Sequence, residues 1–264
     1  MTAQALLEVR NLGKQFAKRP GQSEPVWVLK AMSFSVREGE FLTLVGPSGS
    51  GKTTLLNVIA QIDVASAGEI YLAGADIAAT DAKTLSPGCG GRIGYVTQDH
   101  NLLPWRTMLE NVLFPLKVQG KLNAETRARA EALIEAVGLT SFKDHFPHEL
   151  SGGMKKRASV IRTLAYDPPV ILMDEPFGAL DAETRATLQG DLLELWAARK
   201  KTIIFVTHDI SEAITLGDRT LVLTTAPARV SGEHLIELPR PRNVKDIYGV
   251  PGFAEYYGAI RSQI

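Results

Sequence analysis

The chain has 264 residues, 45% of them hydrophobic, with 29 Lys plus Arg against 29 Asp plus Glu and a single cysteine, Cys89. This length buries a core without disulfide or metal staples, and one cysteine excludes an internal disulfide. Balanced charge leaves no electrostatic footprint for nucleic acid, so no nucleic-acid partner is expected.

The start, MTAQALLEVRN, lacks the basic and apolar regions of a signal peptide. Oily runs such as Val170–Met173 and Thr202–Val206 have strand length, far below the ~20 residues of a membrane helix. We therefore expect a soluble chain that reaches any membrane through a partner.

In chain order, Leu7–Val9 and Met32–Val36 read as strands around a polar, proline-bearing loop over Lys14–Pro25. Phe41–Val45 reads as a buried central strand. It runs into Gly46-Pro47-Ser48-Gly49-Ser50-Gly51-Lys52-Thr53-Thr54, the pattern G-x-x-x-x-G-K-[ST] between a strand and a helix. Its glycines let backbone N–H groups curl around phosphate oxygens, and a helix over 52–60 points its N-terminus at the same anion. Lys52 is expected to reach the β- and γ-phosphates, and the Thr53 hydroxyl to ligate Mg²⁺. The motif predicts a binder of nucleoside triphosphates.

Strands follow over Ala67–Leu72, with a turn at Gly74–Asp76, and over Ile93–Thr97. Gln98, at the end of the latter, could ligate Mg²⁺ or the attacking water through its amide. The pattern then turns helical. Thr107 and Glu110 form a capping-box signature, with Pro115 expected to kink or end that turn. Asn123 caps a helix carrying Ala130, Leu133, Ile134 and Val137 and stopping at Gly138. Ser151 caps a third helix reaching about Tyr166. These helices predict a lobe inserted at roughly 100–165.

Leu150-Ser151-Gly152-Gly153 is a second nest of N–H donors with a hydroxyl. It reads either as a plain helix cap or as half of a phosphate site shared across a dimer, since the chain already has one P-loop.

The β/α rhythm resumes with Val170–Met173, which ends in Asp174 and Glu175. Carboxylates at a parallel strand's C-terminal edge sit where ligands bind in open α/β sheets. Asp174 is placed to hold Mg²⁺ directly or through water, and Glu175 to polarise a water facing the γ-phosphate. A helix over Ala182–Ala198, a strand over Thr202–Val206 and a helix over Asp209–Leu216 come next. His208, between the last two, is either structural or in contact with the γ-phosphate. Thr220–Thr224 and His234–Leu238 close the regular part. The expected division is one domain over 1–240 and a short tail over 241–264.

Together these motifs resemble the ATP-binding cassette (ABC) transporter ATPases over about residues 6–226: the P-loop, LSGG at 150–153 and LMDEP at 172–176 stand in family order. The resemblance implies an α/β P-loop NTPase core with a predominantly parallel sheet, an antiparallel β subdomain and an inserted α-helical lobe. It implies ATP hydrolysis with Mg²⁺, Glu175 as catalytic glutamate, His208 as switch histidine and Gln98 as the glutamine at the lobe boundary. Ala179-Leu180-Asp181 would communicate across the dimer. Phe16 falls where an aromatic stacks on adenine, with Trp27 as a rival.

Asn101-Leu-Leu-Pro-Trp105, Asp174 to Ala182, and Val206-Thr-His-Asp209 resemble the ATPases of nitrate, sulfonate and taurine importers. Lys155-Lys156 departs from the Arg-Gln common after LSGGM, and Ser211 replaces a frequent acid. The implied assembly is a homodimer of this subunit, two transmembrane permease subunits and a periplasmic or lipid-anchored solute-binding protein, at the cytoplasmic face of the bacterial inner membrane. Alternatives are a soluble cassette ATPase of DNA repair or translation, and a P-loop metabolite kinase, which would not need LSGG.

Overall fold

The computed structural model describes residues 5–17, 25–78, 86–178 and 180–264. An antiparallel sheet in the order β2-β1-β4-β5 is formed by β1 (Ala5–Phe16), β2 (Val26–Arg37), β4 (Ala67–Leu72) and β5 (Ala75–Asp76). The second sheet has the order β10-β9-β3-β8-β7-β6, from β3 (Phe41–Val45), β6 (Ile93–Val96), β7 (Val170–Asp174), β8 (Thr202–Thr207), β9 (Arg219–Leu223) and β10 (Val230–Leu235). Its strands are parallel except β10, which runs antiparallel to β9.

The helices are α1 (Lys52–Ile59), α2 (Met108–Val118), α3 (Ala124–Ala136), α4 (Gly152–Ala165), α5 (Ala182–Arg199), α6 (Ile210–Leu216) and α7 (Phe253–Arg261). Helices α2 to α4 form the lobe between β6 and β7.

The central strands read as unbroken apolar runs because both their faces are covered. Successive side chains alternate between two cores. Ile171, Met173, Ile203 and Phe205 face the core shared with the helical lobe and α5. Val170, Leu172, Ile204 and Val206 face the core shared with α1 and the antiparallel sheet.

Several expected boundaries move. Strands β1 and β2 extend into the expected loop: Lys14, Gln15 and Phe16 pair with Leu29, Trp27 and Val26. Lys14 is polar yet buried there because its ammonium donates to Asp63 (2.6 Å) and to the Val64 carbonyl (2.9 Å). Residues 18–24 of that loop lie outside the described residues. Pro115 neither ends nor divides α2. Its cost of about 3 kcal/mol is offset by burial of Leu113 and Leu116, about 1.5–3 kcal/mol each.

The segment 241–264 packs on the sheet domain. Phe253 and Ile260 of α7 are buried with Val45, Ala213, Ile214 and Val222. The buried Arg242 guanidinium donates to the carbonyls of Ile214 (2.7 Å) and Ile236 (2.9 Å).

Candidate functional site

β3 delivers the chain into the glycine-rich turn at the C-terminal edge of the parallel sheet. Gly46 passes so close to β9 that a Cβ there would stand 2.8 Å from the Leu223 carbonyl oxygen. Gly51 opens α1 with φ 98°, a left-handed conformation that side chains other than glycine's disfavour. The turn borders a cavity of ≈ 280 Å³ lined in part by Ser48, Gly49, Gly51, Lys52, Thr53, Thr54 and Glu175. Among the described residues, a Cβ on Gly49 would meet nothing within 4 Å, and the buried Ser50 hydroxyl has no hydrogen-bond partner. An open cradle beside an unsatisfied hydroxyl fits an oxygen-rich ligand.

Lys52 folds back into this turn. Its ammonium donates to the carbonyls of Gly46 (2.8 Å) and Pro47 (2.9 Å) and lies 3.9 Å from Glu175 Oε1. Burial pulls the ammonium below its ordinary pKa, against the attraction of Glu175 and Asp174.

The neighbour relation of β3, β8 and β7 brings Glu175 and His208 to the same edge. Glu175 has φ 43°, costing about 1–2 kcal/mol, and its N–H donates to the Val206 carbonyl at 3.0 Å. Its Oε2 lies 2.8 Å from His208 Nδ1. His208 is more than half exposed, on the turn between β8 and α6, where Asp209 caps α6 by accepting from the Ser211 N–H (2.8 Å).

Asp174 is buried, and burial raises its carboxyl pKa. The nearby Thr53 and Tyr95 hydroxyls and the Lys52 charge oppose that rise. A divalent cation beside Asp174 and Thr53 would supply the missing positive charge. Among the described residues no group of three or more His, Cys, Asp or Glu could hold a metal.

The other predicted residues stand apart from this cluster. Ser151 caps α4, its hydroxyl accepting from the Met154 N–H at 3.3 Å, and both Ser151 and Gly152 are exposed. A Cβ on Gly153 would meet the Thr184 methyl at 2.8 Å, so the start of α4 abuts the start of α5. Asp181 caps α5 through the Thr184 N–H (3.0 Å); Ala179 lies outside the described residues. The Gln98 side chain is exposed, while its carbonyl accepts from the Lys156 ammonium at 2.9 Å. Phe16 is 43% exposed, with the Lys14 ammonium 4.9 Å from its ring centre. The apolar residue lining the cavity is Val28, not Phe16 or Trp27.

Residues 29–178 match the ABC transporter family. This chain belongs to that family. An uncharacterized ABC transporter ATP-binding protein of Methanocaldococcus jannaschii is 45% identical over 90% of this chain and 84% of its own. The aliphatic sulfonates import ATP-binding protein of Bacillus cereus is 39% identical over 90% and 88%. The nitrate import ATP-binding protein of Synechocystis is 38% identical over 97% and 94%. Among solved structures, the dimeric bacterial cassette MJ0796 superposes with a TM-score of 0.76 at 35% identity, covering 88% of this chain and 99% of that one. Its dimeric post-hydrolysis state bound to ADP and Pi gives 0.75 at 34%, with the same coverage. The chain is thus an ATP-hydrolysing ABC subunit with the ABC ATPase fold.

The motif reading of this ABC subunit missed Tyr95 and gave Lys156, noted only as a departure from the family pattern, no role. Tyr95 stands beside Asp174 and donates to Asn57 Oδ1 of α1 at 3.0 Å. Burial raises its hydroxyl pKa, helped by the Asp174 charge. Lys156 is a cation on the buried face of α4, pushed down to about 8 by burial, with Asp99 and Asp174 opposing. A charge at an apolar helical position was the available signal for Lys156. Tyr95 had none, because its neighbour Asp174 is remote in sequence.

Proposed function

We propose that this chain energises an importer of a small anion such as a sulfonate, taurine or nitrate, acting as a homodimer with two transmembrane permease subunits and a solute-binding protein. The carrying observation is the convergence of Lys52 and His208 on Glu175 beside the P-loop while Ser151 and Gly152 lie exposed on another lobe. The sulfonate and nitrate importer relatives support the substrate class. The dimeric cassettes support two copies. The same importer relatives support a peripheral place at the cytoplasmic face of the inner membrane, and among the described residues no helix is long and apolar enough to cross a membrane.

In this reading the P-loop amides of Gly46 to Thr54 bind the ATP phosphates. Lys52 exchanges its own-loop carbonyls and Glu175 for the β- and γ-phosphates. That exchange frees Glu175 to orient the attacking water, while His208 holds the carboxylate and faces the γ-phosphate. Thr53, Asp174 and Gln98 would hold magnesium, which would supply positive charge against the phosphate oxygens. The Ser151–Gly153 turn serves the nucleotide of the other copy, and Asp181 lies at the boundary between them. Adenine stacks on Phe16 or its rival Trp27, beyond the phosphate cavity that Val28 lines.

Trp105, which would be buried if it filled the lobe's own core, is 70% exposed. Leu102 beside it is buried, and Asn111 ties the intervening loop through the Leu103 carbonyl (3.1 Å) and N–H (2.7 Å). A rigid loop presenting an exposed indole suits a cytoplasmic helix of a membrane subunit.

The test is ATP hydrolysis by the assembled complex with its binding protein, measured with sulfonate, taurine, nitrate and a neutral sugar in turn. Stimulation by one of the anions is expected. Stimulation by the sugar alone would replace the substrate class.

A further inference from the structure

The loop that follows β6 is laced to α4 by two cations. The Lys156 ammonium donates to the carbonyls of Thr97 (2.7 Å) and Gln98 (2.9 Å). One and a half turns further along α4, the Arg162 guanidinium donates to the carbonyls of Asn101 (2.6 Å) and His100 (3.1 Å). Four of five successive carbonyls are thereby held by one helix. Lys156 is 4% exposed, and burying an ammonium is costly unless its hydrogens are well used. Charge-assisted bonds of this kind are stronger than neutral ones. Methionine would fill the same volume without the desolvation cost, so a demand for packing alone does not select lysine here.

The same helix begins at the Ser151–Gly153 turn, and Lys156 stands just over one turn from it. The 97–101 loop leaves the end of β6 and is bonded to that helix, and β7, the neighbour of β6, carries Asp174 and leads to Glu175. We propose that Lys156 is a positioning residue of the ATPase: it latches the Gln98 loop to α4, so that the loop and the Ser151–Gly153 turn move as one body. Whatever displaces Gln98, nucleotide from one side or a membrane subunit from the other, then swings the turn that serves the other copy's phosphates. This coupling rests on the shared-site reading above; the latch itself does not.

The experiment compares Lys156→Met, Lys156→Arg and, as a control on the neighbouring side chain, Lys155→Met in the full chain. Hydrogen exchange without nucleotide reads the latch. Lys156→Met should raise exchange over 97–103 by about ten-fold through local opening, with Lys156→Arg and Lys155→Met near the parent. Steady-state kinetics read its use: kcat falls in Lys156→Met while KM for ATP stays within about two-fold, because Lys52 and the P-loop are untouched. Lys156→Arg should recover kcat, since a guanidinium can also donate to two carbonyls. Unaltered exchange over 97–103 in Lys156→Met would overturn the latch, whatever the kinetics. Loosened exchange with unchanged kcat would leave a latch that does not position the catalytic turn, and the proposal would fall. If the parent chain hydrolyses no ATP under any condition, the functional reading fails and exchange alone decides the latch.

Discussion

The two glycine-rich helix starts of this chain differ in what surrounds them. At the head of α1, Lys52 is buried, bonds to its own loop and faces Glu175, with buried Asp174 nearby. At the head of α4, Ser151 and Gly152 are exposed, and the Ser151 hydroxyl receives the N–H of its own first turn. Both starts offer backbone donors to an anion. Only the first surrounds them with acids, a cation and a low-dielectric wall that strengthens every charge. On the proposed reading, the first start sets the chemistry and the second completes a site brought to it.

The largest effect should come from the acid at the first start. Glu175→Gln is expected to lower ATP turnover by at least ~10²-fold while ATP still binds and holds a closed pair of chains. Turnover near the parental rate would remove Glu175 from the chemistry. Lys52→Ala should instead weaken nucleotide binding by roughly ten-fold or more, the value of one charged contact. A direct titration showing parental affinity would contradict it.

Mixing chains sharpens the comparison further. A Lys52→Ala chain and a Ser151→Arg chain are each expected to be nearly inactive alone. Their heterodimer contains one intact site, so an equal mixture should recover about a quarter of parental activity if pairing is random and the two-fold sites act independently. No recovery despite demonstrated heterodimers would remove the simplest support for a shared site, leaving strict coupling between sites as the alternative. The smallest effect concerns the loop carrying Trp105. Single cysteines at positions 101–106 should crosslink to a permease subunit in the transporting complex, and their failure to do so during active transport would reject docking there.

Local rules made the first start readable. The glycine spacing, the strand before it and the acids ending β7 are short-range signals, as are the caps at Thr107, Asn123 and Ser151. Hydrogen bonds across three or four residues are written directly into neighbouring side chains. The same locality misled at Pro115 and at Lys14–Phe16. There, a breaker residue and a polar run are overridden by contacts with the lobe core and with Asp63.

The sequence by itself determined that this chain binds a nucleoside triphosphate and which residue types stand ready to act on it. Tertiary structure alone decided that β3 lies beside β8, and β8 beside β7, so that positions as distant in the chain as Lys52, Glu175 and His208 share one edge. It also decided that Lys156 holds the loop at Gln98 and that 241–264 closes over α6. Those outcomes depend on which apolar faces find each other across tens to more than a hundred residues, and burial is non-directional, so no short stretch of sequence encodes the partner.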